Sequence, residues 1–416
     1  MIWCMQRRLR GNLTKFPNDK DEAMFDIAVI GNGMIGSAAT RYLSAMNQKI
    51  LAIGPGEPTD WQTHHGVFAS HYDQGRITRI IDPDLVWAQL AARSIDVYGE
   101  IELASGITFH QRSGGLRVSP DVTSPVDNVN QAEQVGKELG AIYSRLSQAE
   151  LARQFPFLHF NPGTVGLWER GGAGYINPRS LVQAQLIIAA QQGATIVRET
   201  VTGINKRKDF VELTTDAGTH YQARKVLIAA GGYTNHLLEQ KLDLRPKAVT
   251  VLLAELSEAE VKRLQGLTTL IWRLADHPLL ASIYAAPPIR YPDGKMYMKI
   301  GGTVKAPHFM HAPEEFQAWF HSAGNPDETN ALRDVLLTLL PGLKVEAFQT
   351  KPCVYTLTAH DHPYIDQLDD QLFVAAGGCG SSAKSSNELG HIAALLVEKS
   401  TWHYDIDAKV FEARFK

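Results

Sequence analysis

The chain has 416 residues, 44% hydrophobic and 20% charged, with a formal net charge of −3. This near-neutral balance argues against a nucleic-acid or other polyanion partner, and no apolar run approaches the roughly 18 to 20 residues of a spanning helix. Three widely spaced cysteines, Cys4, Cys353 and Cys379, form neither a disulfide framework nor a paired metal motif, and point to a reducing, cytoplasmic setting. Apart from the adjacent His64 and His65, the histidines show no ligand spacing, so no metal is expected. The length exceeds one ordinary core, so one large domain or two are expected.

Residues 1–23 are basic and then mixed in charge, with no apolar stretch after the arginines. They read as a flexible extension ahead of Met24 and not as a secretory signal. The apolar FDIAVI, residues 25–30, predicts a buried parallel strand. Gly31, Gly33 and Gly36 follow at G-x-G-x-x-G spacing, with Met34 and Ile35 between them, and residues 37–47 carry helical apolar spacing. Ile50–Ile53 then predicts a second strand, completing a β-α-β unit. In such a unit the first glycine makes the turn, the second admits a pyrophosphate to the backbone, and the third lets helix and strand pack closely. The phosphate meets the free N–H groups at the helix start, so the unit predicts dinucleotide binding. The acidic residue that ordinarily closes the second strand is missing. Gly54 stands there, and Glu57 in the following loop is the candidate substitute.

Residues 180–192 predict a helix ending at Gly193. Residues 194–204, 209–218 and 225–235 predict three short strands, and 250–256 and 296–300 two more, with a helical patch at 257–265. Residues 313–322 and 328–340 predict helices, and 371–399 a strand, a glycine turn and a helix. Nucleotide-type segments thus stand at the start, middle and end. The expected fold class is α/β (α+β overall): a Rossmann-type dinucleotide-binding domain of residues 24–90, 165–242 and 345–416, with an inserted antiparallel-sheet substrate domain of 91–164 and 243–344.

The glycine unit, KVLIAAGGY (225–233), SHYDQGRITR (70–79), MKIGG (298–302), CVYT (353–356) and AAGGCGSSAK (375–384) together resemble the D-amino-acid-oxidase-type flavoenzymes. Within them the chain is similar to the group of monomeric sarcosine oxidase and N-methyltryptophan oxidase. The resemblance implies FAD as cofactor, held by Gly31, Gly33, Met34, Ile35, Gly36, Glu57, Ser70, Arg76, Val201, Gly231, Gly378, Gly380 and Lys384. It implies that Cys353 carries the flavin through a thioether. A free cysteine is also a common small packing residue, the role expected of Cys379. Arg76 is implied near the flavin, Arg79 and Lys384 on a substrate carboxylate, Lys299 beside the flavin N5 where it promotes reaction with O2, and Tyr355 and Tyr284 against substrate. Arginine suits a carboxylate because its planar fork gives two parallel hydrogen bonds. Thr303 replaces a family histidine, Ser381 and Ala383 replace a histidine and an aromatic, and Tyr72 and Gln74 also depart from the pattern. These changes argue against simple sarcosine specificity.

The implied activity is FAD-dependent oxidation of a primary or secondary amine alpha to a carboxylate, giving an imine, with O2 reduced to H2O2. Two alternatives stand beside it. One is a D-amino acid or 2-hydroxy acid dehydrogenase of the same fold using a non-oxygen acceptor. The other is a non-catalytic flavin-binding subunit. The expected partners are a small amine or amino acid and O2, for a monomer or small homo-oligomer.

Overall fold

A computed structural model describes residues 24–120, 123 and 128–416; the expected extension of residues 1–23 lies outside them. The strand Phe25–Ile30 has a parallel partner on each edge, Ile50–Ile53 and His220–Ile228. With both edges paired and helices on the sheet, its side chains have no wet side, which is why the run is apolar without alternation. The sheet runs Val201–Lys206, Val211–Thr215, His220–Ile228, Phe25–Ile30, Ile50–Ile53 and Thr195–Val197. Leu372–Ala376 joins His220–Ile228 in parallel, and Tyr364–Gln367 pairs antiparallel with Leu372–Ala376.

The stretch 194–204, expected as one strand, is two. Thr195–Val197 pairs with Ile50–Ile53 at one side of the sheet and Val201–Lys206 with Val211–Thr215 at the other. Polar residues 198–200 interrupt the apolar run between them, and the Asp216 carboxylate accepts the Thr200 N–H there (2.9 Å).

At Gly31 the chain leaves the first strand with φ +107°, a conformation L side chains rarely adopt. The helix Met34–Ser44 is entered at Gly33, so it starts three residues before the expected position. A Cβ on Gly36 would lie 1.9 Å from the Gly31 carbonyl oxygen, so only glycine permits this approach of helix and turn. The helix Pro178–Gln191 is fixed at its start by Asn177, whose side chain accepts the Ser180 N–H, and by proline in the first turn. The helix Ser386–Lys399 packs on Met34–Ser44.

A second eight-stranded sheet runs Ala347–Leu357, Arg245–Leu256, Met296–Val304, Leu280–Arg290, Thr269–Arg273, Gly115–Ser119, Val165–Glu169, Tyr143–Leu146. Its neighbours are antiparallel except Thr269–Arg273 with Gly115–Ser119. Val165–Glu169 and Ala347–Leu357 are hydrogen-bonded into this sheet, although the expected division allots them to the dinucleotide-binding parts. A third, small sheet joins Arg76–Thr78, Gly174–Ile176 and His110–Gln111. The helices Pro313–Phe320 and Pro326–Leu339 lie within two residues of their expected bounds. The whole is a mixed α/β architecture with one parallel-centred and one largely antiparallel sheet. Among the described residues no helix is long and apolar enough to cross a membrane, and no cluster of His, Cys, Asp and Glu is arranged to hold a metal ion.

Candidate active site

A cavity of about 960 Å³ opens between the glycine turn and the second sheet. Its wall includes Gly31, Gly33, Met34, Ile35, Ser70, Arg76, Arg79, Val201, Gly231, Tyr284, Cys353, Tyr355, Gly378 and Gly380. Fourteen sequence-selected positions from distant parts of the chain therefore share one surface. Gly36, Glu57, Lys299 and Lys384 do not line it. Gly36 lies beneath the turn against Gly31. Glu57 is held by Arg179 in a two-pronged pair (2.6 and 2.6 Å).

The dinucleotide end of this cavity fits an anionic, extended ligand. The helix Met34–Ser44 starts at the wall with no side chain capping its first N–H groups, the arrangement that binds phosphate. Asn32 Oδ1 is buried there without a partner. At Gly54 a Cβ would lie 2.5 Å from the Asn32 N atom. This crowding explains the absence of an acidic side chain at the end of the second strand.

Arg76 opens the three-residue strand Arg76–Thr78, and Arg79 follows directly after it. Odd spacing on an extended segment sends side chains to opposite faces, and the two arginines enter separate clusters. Arg76 donates through Nη2 to the Ser70 carbonyl (2.8 Å) and to Cys353 Sγ (3.3 Å), and pairs with Asp73 (3.3 Å). Asp73 also accepts from Lys299 Nζ (2.5 Å), the Tyr291 hydroxyl (3.0 Å) and the Gln74 N–H (2.8 Å). Lys299 donates further to the Gly75 carbonyl (2.8 Å). Lys299 is 0% exposed, and burial, reinforced by Arg76, pulls its pKa down to about 8 against the pull of Asp73. Burial opposes ionisation of Asp73, but Lys299 and Arg76 outweigh it and hold the carboxyl below the usual range. Lys299, implied beside the flavin, does not line the cavity, and neither does its partner Asp73.

Arg79 pairs through Nη2 with Asp82 Oδ2 (2.7 Å), and Lys384 Nζ reaches the same oxygen (3.3 Å). Burial depresses the Lys384 pKa to about 8; Asp82 opposes this and Arg79 adds to it. Burial likewise opposes the Asp82 charge, yet Lys384 and Arg79 bring its pKa down to about 2. Arg79 Nε is buried with no partner.

Cys353 and Tyr355 stand two residues apart on the strand Ala347–Leu357, so the period-2 alternation puts both on the cavity face. Cys353 is 8% exposed. Burial raises the Tyr355 phenol to about 12 and raises Tyr284 as well. Tyr284 lies across Gly301, where a Cβ would meet its hydroxyl at 2.4 Å. Thr303, Ser381 and Ala383, the positions that depart from the family pattern, also line the cavity. Cys379 is in the left-handed region (φ +50°) at the glycine turn, and burial pushes its thiol up to about 11.

The residue reading missed Asp73 and Asp82. Their signal is in the sequence: D-x-x-R at 73–76 and R-x-x-D at 79–82 put a carboxylate three residues from each arginine. It also missed His71 in the cavity wall, whose pKa burial and then Arg179 and Arg198 lower to about 3, leaving a neutral imidazole.

The family model described as FAD dependent oxidoreductase matches residues 26–396. The chain is 27% identical over 393 residues to monomeric sarcosine oxidase of Streptomyces avermitilis, covering 92% of this chain and 96% of that protein. It is 23% identical to N-methyl-L-tryptophan oxidase of Yersinia pestis, covering 92% and 98%. The crystal structure of NikD, described as an unusual amino acid oxidase essential for nikkomycin biosynthesis, superposes with a TM-score of 0.77 at 19% identity, covering 94% of this chain and 98% of that one; this likeness shows the shared fold. With the glycine cradle, the uncapped helix start and a family match across nearly the whole described chain, this protein belongs to the DAO family of FAD dependent oxidoreductases and is an enzyme with FAD as its cofactor.

Proposed function

We propose that the enzyme oxidises a primary or secondary amine alpha to a carboxylate to an imine, with O2 as acceptor and H2O2 as product. The observation that carries this is the convergence of Arg76, Arg79, Tyr284, Cys353 and Tyr355 on one cavity continuous with the glycine turn. FAD supplies the two-electron acceptor when bound. The protein's part is to hold and orient. Gly31, Gly33, Met34, Ile35 and Gly36 form the pyrophosphate cradle, with Val201 and Gly231 on the adjoining wall. Ser70, Gly378 and Gly380 complete the wall beside Cys353. Cys353, a free thiol whose sulfur accepts from the Arg76 guanidinium, would hold the flavin through a thioether. Arg79 takes the substrate carboxylate, with Lys384 behind it. Tyr284 and Tyr355, un-ionised at neutral pH, flank the amine. Water hydrolyses the imine after release.

Arg79→Ala is expected to raise KM for an amino-acid substrate about tenfold or more while changing kcat less, as removal of a charge-assisted hydrogen bond does. Steady-state peroxide assays over a panel of N-alkyl and cyclic amino acids test both the function and this variant. A panel that yields no peroxide and no loss of amine rejects the proposal. A second reading, a dehydrogenase with a non-oxygen acceptor, is favoured by one observation: Lys299 is bound to Asp73 and the Gly75 carbonyl and lies off the cavity wall. Amine loss with a quinone or dye but no peroxide in air identifies that reading.

A further inference from the structure

In the second sheet Gly301 stands between Val251 and Tyr284, and Val251 stands opposite Lys351. Residues two apart on a strand share a face. One such step along each strand, all in the same direction, leads from Lys351 to Cys353, from Gly301 to Thr303 and from Tyr284 to Ser282, and the last two targets are directly opposite each other. A further step along the edge strand leads to Tyr355. Thr303 and Ser282 therefore lie on the side of Tyr284 toward Tyr355, and they line the cavity with both tyrosines.

Thr303 is exposed and Ser282 half-buried. Arg76 and Arg79 in the same wall each have a counter-ion, whereas neither of these hydroxyls is engaged by another group among the described residues. A hydroxyl donates one hydrogen bond and accepts two. A ligand arm that covers the pair with a methyl group displaces its water and returns nothing, which strands polar groups. An arm that ends in a hydroxyl accepts from one member of the pair and donates to the other. Val249 and Ile271 line the same cavity and suit the carbons of such an arm. With the substrate carboxyl group at Arg79 and the amine between Tyr284 and Tyr355, the part of the substrate next to Thr303 and Ser282 is the substituent on nitrogen.

We propose that Thr303 and Ser282 are specificity-determining residues that read a hydroxyl group on the nitrogen substituent, so that the substrates are N-hydroxyalkyl amino acids in preference to N-alkyl ones of the same size. The inference rests on the proposed positions of the carboxyl group and the amine.

The test uses the FAD-loaded enzyme and two carboxylates of equal shape with no amine to oxidise, 2-hydroxyethoxyacetate and propoxyacetate, with Kd read from perturbation of the flavin visible spectrum. The wild type is expected to bind the hydroxyl probe about tenfold more tightly. Thr303→Val, which keeps the shape, is expected to shrink that ratio about fivefold, and Ser282→Ala to shrink it as well. Thr303→Ser is expected to keep it within about twofold. A wild type that binds propoxyacetate at least as tightly overturns the proposal, as does one that binds neither probe. So do Thr303→Val and Ser282→Ala enzymes that both keep the wild-type ratio. If a variant does not fold, the wild-type pair still decides. An enzyme with the expected probe pattern that oxidises neither N-(2-hydroxyethyl)glycine nor any other amine keeps this inference and loses the proposed activity; one that oxidises N-alkyl amino acids and prefers propoxyacetate does the reverse.

Discussion

Lys299→Met is expected to destabilise the protein by about 3 kcal/mol and to slow the O2-dependent half of turnover. The stability cost follows from what is left behind. Lys299 is fully buried, and its ammonium shares Asp73 with Arg76 and Tyr291. Deleting one partner of a buried ion pair strands the other charge, which costs about 3–5 kcal/mol. Arg76 and the Tyr291 hydroxyl remain on Asp73, so the lower end of that range applies. Chemical denaturation followed by circular dichroism reads the change. The double variant Asp73→Asn/Lys299→Met removes both charges and is expected to recover at least about 1 kcal/mol of it, the size of coupling seen between contacting residues. An additive double variant would mean that the 2.5 Å contact carries little energy. The kinetic effect follows from charge. A fixed ammonium in a low-dielectric site stabilises negative charge developing on O2, and here Asp73 neutralises part of it. Oxygen consumption is expected to fall in the variant while amine loss to a dye acceptor persists. Unchanged oxygen consumption would remove Lys299 from the reaction with O2 and favour the dehydrogenase reading.

Much of the nucleotide side of the site is legible in the sequence because its constraints are local. The turn, the helix start and the close approach at Gly36 all fall within residues 31–36, where backbone geometry dictates residue type. The splitting of residues 194–204 was not legible, because the choice between two sheet edges is made by partners distant in the chain. Charge pairing is hard to read from the sequence for a similar reason. A motif speaks for Arg76 and Arg79 one residue at a time, while burial makes each take a counter-ion as well. The i,i+3 aspartates that serve were in plain sight; the lysines that complete each cluster, Lys299 and Lys384, come from a strand and a turn more than two hundred residues away. The loop residue Glu57 failed to reach the cavity because Arg179, 122 positions on, claims both its oxygens. A carboxylate on a loop takes the nearest cation the fold supplies, and spacing to a motif does not tell which that is.

Cys353→Ser is expected to release all flavin colour from an acid-precipitated pellet while leaving the protein folded. The sulfur sits in the second half of an edge strand with one antiparallel neighbour, opposite Val249, and serine fits that space. The hydroxyl can keep the hydrogen bond that Arg76 now donates to Sγ, so no buried donor is stranded and the stability cost stays within about 1–2 kcal/mol. What changes is chemistry: an alcohol at neutral pH is not the nucleophile that a thiolate is. In the wild type the flavin is expected to stay with the denatured chain, and the mass of the intact protein to exceed that of the polypeptide by about one FAD. In the variant the expected mass is that of the polypeptide alone. Free flavin from the wild type would assign Cys353 to packing against Val249 and Tyr291 in its cluster and leave the cofactor held by the glycine cradle alone. Retained flavin in the variant would point to attachment at another side chain of the same wall, with Cys379 the next to replace. Cys379 is the weaker candidate on physical grounds, since its thiol is pushed up to about 11 by burial and its sulfur donates to the Gly377 carbonyl (3.1 Å). Cys353 instead has a guanidinium against its sulfur, and that difference in electrostatic setting is what the experiment measures.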